Sequence, residues 1–163
     1  MPRKSEVTLR FLAEPSDVNF GGKVHGGMVM KWIDQAGWAA AVGWSGRYSV
    51  TVYVGGIRFL APILIGNVVE VTARIIYTGT TSMHLAVDVW ANDAMAEARV
   101  QTTHCVIVFV ALDDAGKPVA VPKWLPHTDE QRSLADYAQR LMQLREGIET
   151  EMQAFIQSPP KAV

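Results

Sequence analysis

Cysteine is almost missing from this sequence. Cys105 stands alone in 163 residues, so no disulfide can form within one chain. Inside the apolar run HCVIVFV it reads as a small buried hydrophobe rather than a nucleophile. Long apolar stretches are missing too: no run approaches the roughly 20 residues that cross a bilayer as a helix. The opening stretch MPRKSEVTLRFLAEP lacks the apolar region of a secretory signal. Net charge is close to zero, at −1, which excludes a general pull toward nucleic acid or anionic membranes. His25, His84, His104 and His127 show no metal-ligand spacing. GGKV lacks the full GxxxxGK[ST] pattern of a phosphate-binding loop. Together these absences lead to the expectation of a cytoplasmic protein with no metal or other cofactor and no nucleic-acid or membrane partner. Charged residues are only 19% against 49% hydrophobic, a balance that builds a core rather than a disordered chain. There are no internal repeats and no low-complexity segment.

What is present is mostly strand. In SEVTLRFL, residues 5–12, Val7, Leu9 and Phe11 alternate with Glu6, Thr8 and Arg10, as in a half-buried strand. Residues 49–62, SVTVYVGGIRFLAP, carry the pair Gly55-Gly56, which predicts a bulge or sharp bend. In residues 66–79, Val69, Val71, Ala73, Ile75 and Tyr77 share a face. In residues 82–90, Met83, Leu85, Val87 and Val89 oppose Ser82, His84 and Asp88. YTGTTS between them is the turn of a hairpin, and ANDAMAE is a second turn. Residues 98–112 alternate and then become apolar on both faces, like a central strand. One helical segment, about Gly27 to Gly43, places Val29, Ile33, Ala36 and Ala40 on one stripe. It is apolar around much of its circumference, so it is expected to be largely buried. A second follows Thr128, whose pairing with Gln131 forms a capping box; Leu134, Tyr137, Ala138, Leu141, Leu144 and Ile148 repeat at helical spacing.

The expected fold is therefore α+β: a long helix wrapped by a curved antiparallel sheet of about five strands, the hotdog arrangement. The expected division is a hotdog domain over residues 1–126 and a C-terminal helical extension over 127–163.

Three further stretches stand beside PSDVNFGGKVHGGMVMKWIDQAG: IRFLAPILIGNVVEV, YTGTTSM and VFVALDDAGKPVAVP. In these, from about Leu9 to Pro122, the chain resembles the hotdog acyl-CoA thioesterases of the cytosolic acyl-CoA hydrolase branch. Asn19, the Gly26-Gly27 pair and Asp34 occur in family order. The resemblance implies hydrolysis of acyl-CoA to a carboxylic acid and CoA, within fatty acid metabolism. It also implies a homo-oligomer built from dimers, the expected assembly being a hexamer as a trimer of dimers. The helix aspartate, here Asp34, is catalytic in that family, and in some members so is an asparagine at the place of Asn19. The loop Gly79, Thr80, Thr81 and Ser82 falls where the family meets the CoA nucleotide. Thr80 stands where many relatives carry arginine, so this loop offers only hydroxyls.

The residues themselves suit that chemistry. A helix start presents unpaired N–H groups and partial positive charge, and Gly26 and Gly27 leave the approach open. The Gly27 or Met28 amide is the expected donor to the thioester oxygen. Asp34, flanked by Trp32, Ile33 and Trp38, is expected to be desolvated and to serve as general base or as nucleophile. Gly27 and Asp34 lie about 10 Å apart along the helix, too far to serve one carbonyl, so a site shared across a dimer twofold is expected. His25 is near enough to line the site. Arg58, with Lys23, Arg74 and Arg99, is a candidate for the CoA phosphates.

Each feature has a plainer reading: Asn19 as a turn residue, the glycines as turn formers, Asp34 as a solvated helix carboxylate, the arginines as surface charges. Two other functions compete. A hotdog enoyl-CoA hydratase would pair an aspartate with a histidine, for which Asp17 and His25 are nearby but not at the usual spacing. A non-catalytic acyl-CoA sensor would normally carry a DNA-binding segment, and no helix-turn-helix or basic patch is present.

Overall fold

The computed structural model describes residues 3–158. The alternating segments form five strands: β1 (Glu6–Leu12), β2 (Ser49–Phe59), β3 (Asn67–Thr78), β4 (Ser82–Asp93) and β5 (Val100–Ala111). They make one antiparallel sheet in the order β1-β3-β4-β5-β2. The long helix α1 (Gly26–Ser45) packs across all five strands, which is the hotdog arrangement. The chain divides into two compact units between Trp124 and Leu125, two residues before the boundary expected from sequence. The second unit is built on the helix α2 (Asp129–Gln157), started by the Thr128–Gln131 capping box. Its distal half leaves Leu144, Ile148, Met152 and Phe155 exposed.

The core lies between α1 and the sheet. Val29, Trp32, Ile33, Ala36, Gly37, Ala40 and Ala41 form the buried stripe of α1, against Val69, Val71, Ala73, Met83, Leu85, Val87 and Phe109. Phe11 stacks on Trp32 with ring centroids 5.2 Å apart. Among the glycines of α1, Gly37 lies tightest against the sheet. A Cβ there would stand 2.8 Å from Phe109 Cε2 and 3.2 Å from Ile107 Cγ2, so only glycine lets the two backbones come this close. At the far end, Trp44 Nε1 donates to the Pro122 carbonyl at 2.8 Å, and Gly46 ends the helix in the left-handed conformation at φ 67°, where glycine is favoured.

Three expectations change. The helix is not buried all round: Met30, Lys31, Asp34, Gln35 and Trp38 form an exposed face. Ile75 and Tyr77 do not share a face, because the β3–β4 register shifts between them. That bulge leaves Ile76 unpaired in the ladder and fully buried. His84 is buried rather than solvent-facing, with its ring edge-on to Tyr77 at 5.3 Å. The Gly55-Gly56 expectation holds: the β2–β5 register shifts between Gly55 and Arg58, and Gly56 has φ 65°.

Gly37→Ala is expected to lower stability by about 1–3 kcal/mol through overpacking, outweighing the helix propensity of alanine. Gly43→Ala, with nothing within 4 Å of the new methyl, is expected to raise it by about 0.5–1 kcal/mol. Urea unfolding of both variants checks the opposite signs.

Candidate active site

The segment before α1 is a structured turn. Pro15–Asp17 form one turn of 3-10 helix, closed by Glu14 N–H donating to Asp17 Oδ2 at 2.9 Å. Asn19 Oδ1 accepts from the Gly21 N–H at 2.9 Å and the Lys23 N–H at 3.4 Å, so the asparagine carbonyl shapes the glycine loop. Gly22 takes φ 72°. The loop is then pinned to the sheet's end by Val24 N–H donating to the Ile63 carbonyl at 2.9 Å.

The helix therefore starts at a defined place and without a side-chain cap, since the N-cap His25 makes no capping bond. Met28 N–H donates to the His25 carbonyl at 2.9 Å. Of the two amides expected to meet a thioester oxygen, Met28 is thus already engaged. Among the described residues, the Gly26 and Gly27 N–H groups donate to no protein acceptor. A Cβ on Gly26 would meet the Phe59 ring at 3.3 Å, while the space beside Gly27 is open.

A pocket of about 390 Å³ opens at this helix start, lined among others by Asn19, Lys23, Gly26, Val29, Phe59, Ile63 and Thr103. Thr103 is 1% exposed, and among the described residues its hydroxyl has no hydrogen-bond partner. An orphaned buried hydroxyl costs about 1–3 kcal/mol.

Asp34 lies two turns along α1 on the exposed face, lining a second groove with Leu9, Phe11, Gln35, Trp38 and Ala39. The expected desolvation by neighbours is not found within one protomer. Trp32 and Ile33 point into the core, and Trp38 is 43% exposed. What Asp34 does have is a partner that the sequence did not announce: Thr51 Oγ1 on β2 donates to Asp34 Oδ1 at 2.5 Å. Hydroxyl-to-carboxylate bonds are short and charge-assisted. This one ties one oxygen of an exposed carboxylate on α1 to β2. Thr51 lies 17 residues from Asp34 on another element, and a threonine in a valine-rich strand carries no motif.

The remaining candidates separate. Arg58 is exposed and pairs across from His104. It precedes Phe59, whose ring faces Gly26, so Arg58 projects from the opposite face of the sheet. Arg74 lies in an ion pair with Asp88 and Arg99 in one with Glu70, over the Trp90 ring, while His104 Nδ1 is hydrogen-bonded to Asp88 Oδ1 at 2.7 Å. Gly79–Ser82 lies at the other end of β3 from the pocket, roughly 35 Å along the strand, beside Ala111 and the C-terminal end of α1. Asp17 and His25 are neighbours, the His25 N–H donating to the Asp17 carbonyl at 2.9 Å, while the Asp17 carboxylate accepts from the Glu14 N–H and the His25 side chain is exposed. Among the described residues, no group of three or more His, Cys, Asp or Glu side chains could hold a metal ion, and no helix is long and apolar enough to cross a membrane.

On a hotdog fold, the chain thus carries an uncapped helix start over a pocket and, two turns along the same helix, a hydrogen-bonded carboxylate. The thioesterase superfamily matches residues 21–98. The chain is 36% identical to the acyl-CoA thioester hydrolase YciA of Salmonella typhimurium over 122 residues, 73% of this chain and 92% of that one. It therefore belongs to the thioesterase superfamily and is a thioester hydrolase. Among solved structures, the Staphylococcus aureus acyl-CoA hydrolase, in complex with butyryl-CoA, CoA and CoA disulfide, superposes with a TM-score of 0.86 at 29% identity. That match covers 94% of this chain and 93% of the other. A hexameric thioesterase from Yersinia pestis gives 0.66 at 39% identity, over 71% and 93%. The Staphylococcus aureus enzyme has also been solved with an asparagine, an aspartate and a threonine each replaced by alanine. The aspartate follows the asparagine by fifteen positions and precedes the threonine by seventeen. Asn19, Asp34 and Thr51 have the same spacing.

Cys105 takes no part in this site. It is fully buried, and burial first, then the Asp88 charge, push its thiol from 9.0 up to about 12. A neutral thiol in the fold and a thiolate in the unfolded chain make stability fall as pH rises from about 9 toward 12. Thiol reagents are expected to leave native protein unlabelled near pH 8 and to label one site per chain in guanidinium. Melting temperature is expected to fall less between pH 9 and 11 in Cys105→Ala than in wild type.

Proposed function

We propose that this protein hydrolyses acyl-CoA thioesters to a carboxylic acid and CoA, with Asp34 as the catalytic carboxylate. The single observation that carries this is the Thr51–Asp34 hydrogen bond, which spends one carboxylate oxygen on positioning and offers the other to a water. Asp34 acts as general base, and the carbonyl oxygen takes the Gly27 N–H as its oxyanion donor. Asn19, whose carbonyl is held by the loop, presents its NH₂ toward the substrate. Side chains and backbone amides suffice for this chemistry, so no metal or other cofactor enters it. The cytoplasm is the compartment proposed.

The site is shared between two copies. Gly27 and Asp34 are seven residues apart on one rigid helix, about 10 Å, while reacting groups close to about 3–3.5 Å. Among the described residues the strand β2 is a sheet edge, bonded only to β5, and it exposes Val52 and Val54. A long apolar edge invites another strand. Twofold pairing of β2 with the β2 of a second copy would lay the two α1 helices side by side and antiparallel. Each helix start then comes toward the other's Asp34. The same operation brings the Gly79–Ser82 loop of one copy to the helix start of the other, where a CoA nucleotide could reach it. Further assembly of such dimers as a trimer gives the proposed hexamer, in keeping with the hexameric Yersinia pestis relative.

Release of free CoA thiol from short to long acyl-CoAs tests the activity. Asp34→Asn is expected to lower kcat by about 10²–10⁴. Thr51→Ala should lower it less and Thr51→Ser should restore most of it, as expected of a positioning residue. A wild type that cleaves no acyl-CoA would sink the reading. The shared site predicts complementation: Asn19→Ala and Asp34→Ala, each nearly inactive, are expected to regain up to about a quarter of wild-type activity when refolded together, since half the dimers are mixed and half their sites intact. A mixture that stays inactive would place each site within one chain.

A further inference from the structure

Adjacent threonines on β5 have opposite fates. Thr102 faces away from α1, and its hydroxyl donates to the Val89 carbonyl at 3.2 Å. Thr103 faces the other way and lines the pocket at the start of α1, and its buried hydroxyl has no hydrogen-bond partner among the described residues. Both are 1% exposed. A buried hydroxyl without a partner is rare in a folded chain, and this one sits in an otherwise largely apolar cavity shared with Val24, Val29, Phe59, Leu60 and Ile63. Valine would fill the same volume without the stranded oxygen.

The position of Thr103 says what it would meet. It pairs across the sheet with Phe59, and the Phe59 ring lies against Gly26. Directly opposed residues keep their Cβ atoms about 4.5–5.5 Å apart. Thr103 is thus separated from the helix start, where the thioester carbonyl is proposed to dock, by the Phe59 side chain, within one pocket. A group reaching it from that carbonyl is only a few bonds along the acyl chain.

We propose that Thr103 Oγ1 is a specificity group of the acyl pocket, and that the preferred substrates are short acyl-CoAs oxygenated near the thioester, of the 3-hydroxyacyl or 3-oxoacyl class. The hydroxyl donates to a keto oxygen, or exchanges a hydrogen bond with a hydroxyl, and an unsubstituted chain leaves it orphaned. Discrimination of this kind rests on polar groups left unpaired by the wrong substrate. The inference rests on the acyl-CoA hydrolase reading of the same site and adds the substrate class to it.

The test is kcat/KM for 3-hydroxybutyryl-CoA, acetoacetyl-CoA and butyryl-CoA with wild type, Thr103→Val, Thr103→Ala and Thr103→Ser. The wild type is expected to favour at least one oxygenated substrate over butyryl-CoA. In Thr103→Val the ratio of oxygenated to butyryl kcat/KM is expected to drop about tenfold, with the ratio kept in Thr103→Ser. Thr103→Ala reports the same ratio if the valine variant does not fold. A ratio that stays constant across the variants, as when the hydroxyl merely holds an ordered water, overturns the proposal, and so does a wild type that favours butyryl-CoA. A wild type active on butyryl-CoA with an unmoved ratio sinks the role of Thr103 alone. A wild type inactive on every acyl-CoA sinks the hydrolase reading beneath it.

Discussion

The close seat of α1 on the sheet at Gly37 is the contact on which the rest depends. Phe109 and Ile107 occupy the space where a side chain would be, so the helix backbone rests on the sheet and cannot slide along it without a clash. That seat fixes the axial position of everything else on the helix. The first turn lands over the pocket, and Asp34, three residues before the seat, lands within reach of Thr51. Interiors packed at crystal-like density behave this way: a missing methyl at one point decides positions 10 Å away.

Much of this architecture was legible in the sequence because period-2 and period-3.6 patterns were strong and segments were long. Five strands, two helices, the Thr128 capping box and the Gly55-Gly56 bend all followed from local chemistry. What did not follow was set by pairing between distant segments. The β3 bulge that turns Tyr77 off the face of Ile75 is a property of the β3–β4 register, invisible in β3 alone. The burial of His84 comes from its neighbours in three dimensions. Asp34 shows the same limit in reverse: Trp32 and Ile33 adjoin it in sequence, but at 100° per residue a helix turns them to the opposite side.

The site divides along the same line. Glycines at a helix start and a carboxylate two turns on have a reading in sequence, because one helix places them. Thr51 and Thr103 had none, since a threonine in a strand is unremarkable until the sheet sets it beside a carboxylate or at the floor of a pocket. The Gly27 and Met28 amides, too, differ only in three dimensions: Met28 N–H donates to the His25 carbonyl, while Gly27 N–H has no acceptor among the described residues.

The strand order has a consequence for how the molecule comes together. The three central strands, β3, β4 and β5, are consecutive hairpins whose partners are near in sequence. The outer strands are recruited from afar: β2 aligns Ser49 with Ala111, and β1 aligns Glu6 with Arg74. Closing such long loops costs chain entropy before any contact repays it. On this ground the local meander is expected to form before β1 and β2 add to its edges. Asp34 and Thr51 both ride on elements brought in over those long separations, so their meeting depends on the non-local part of the fold.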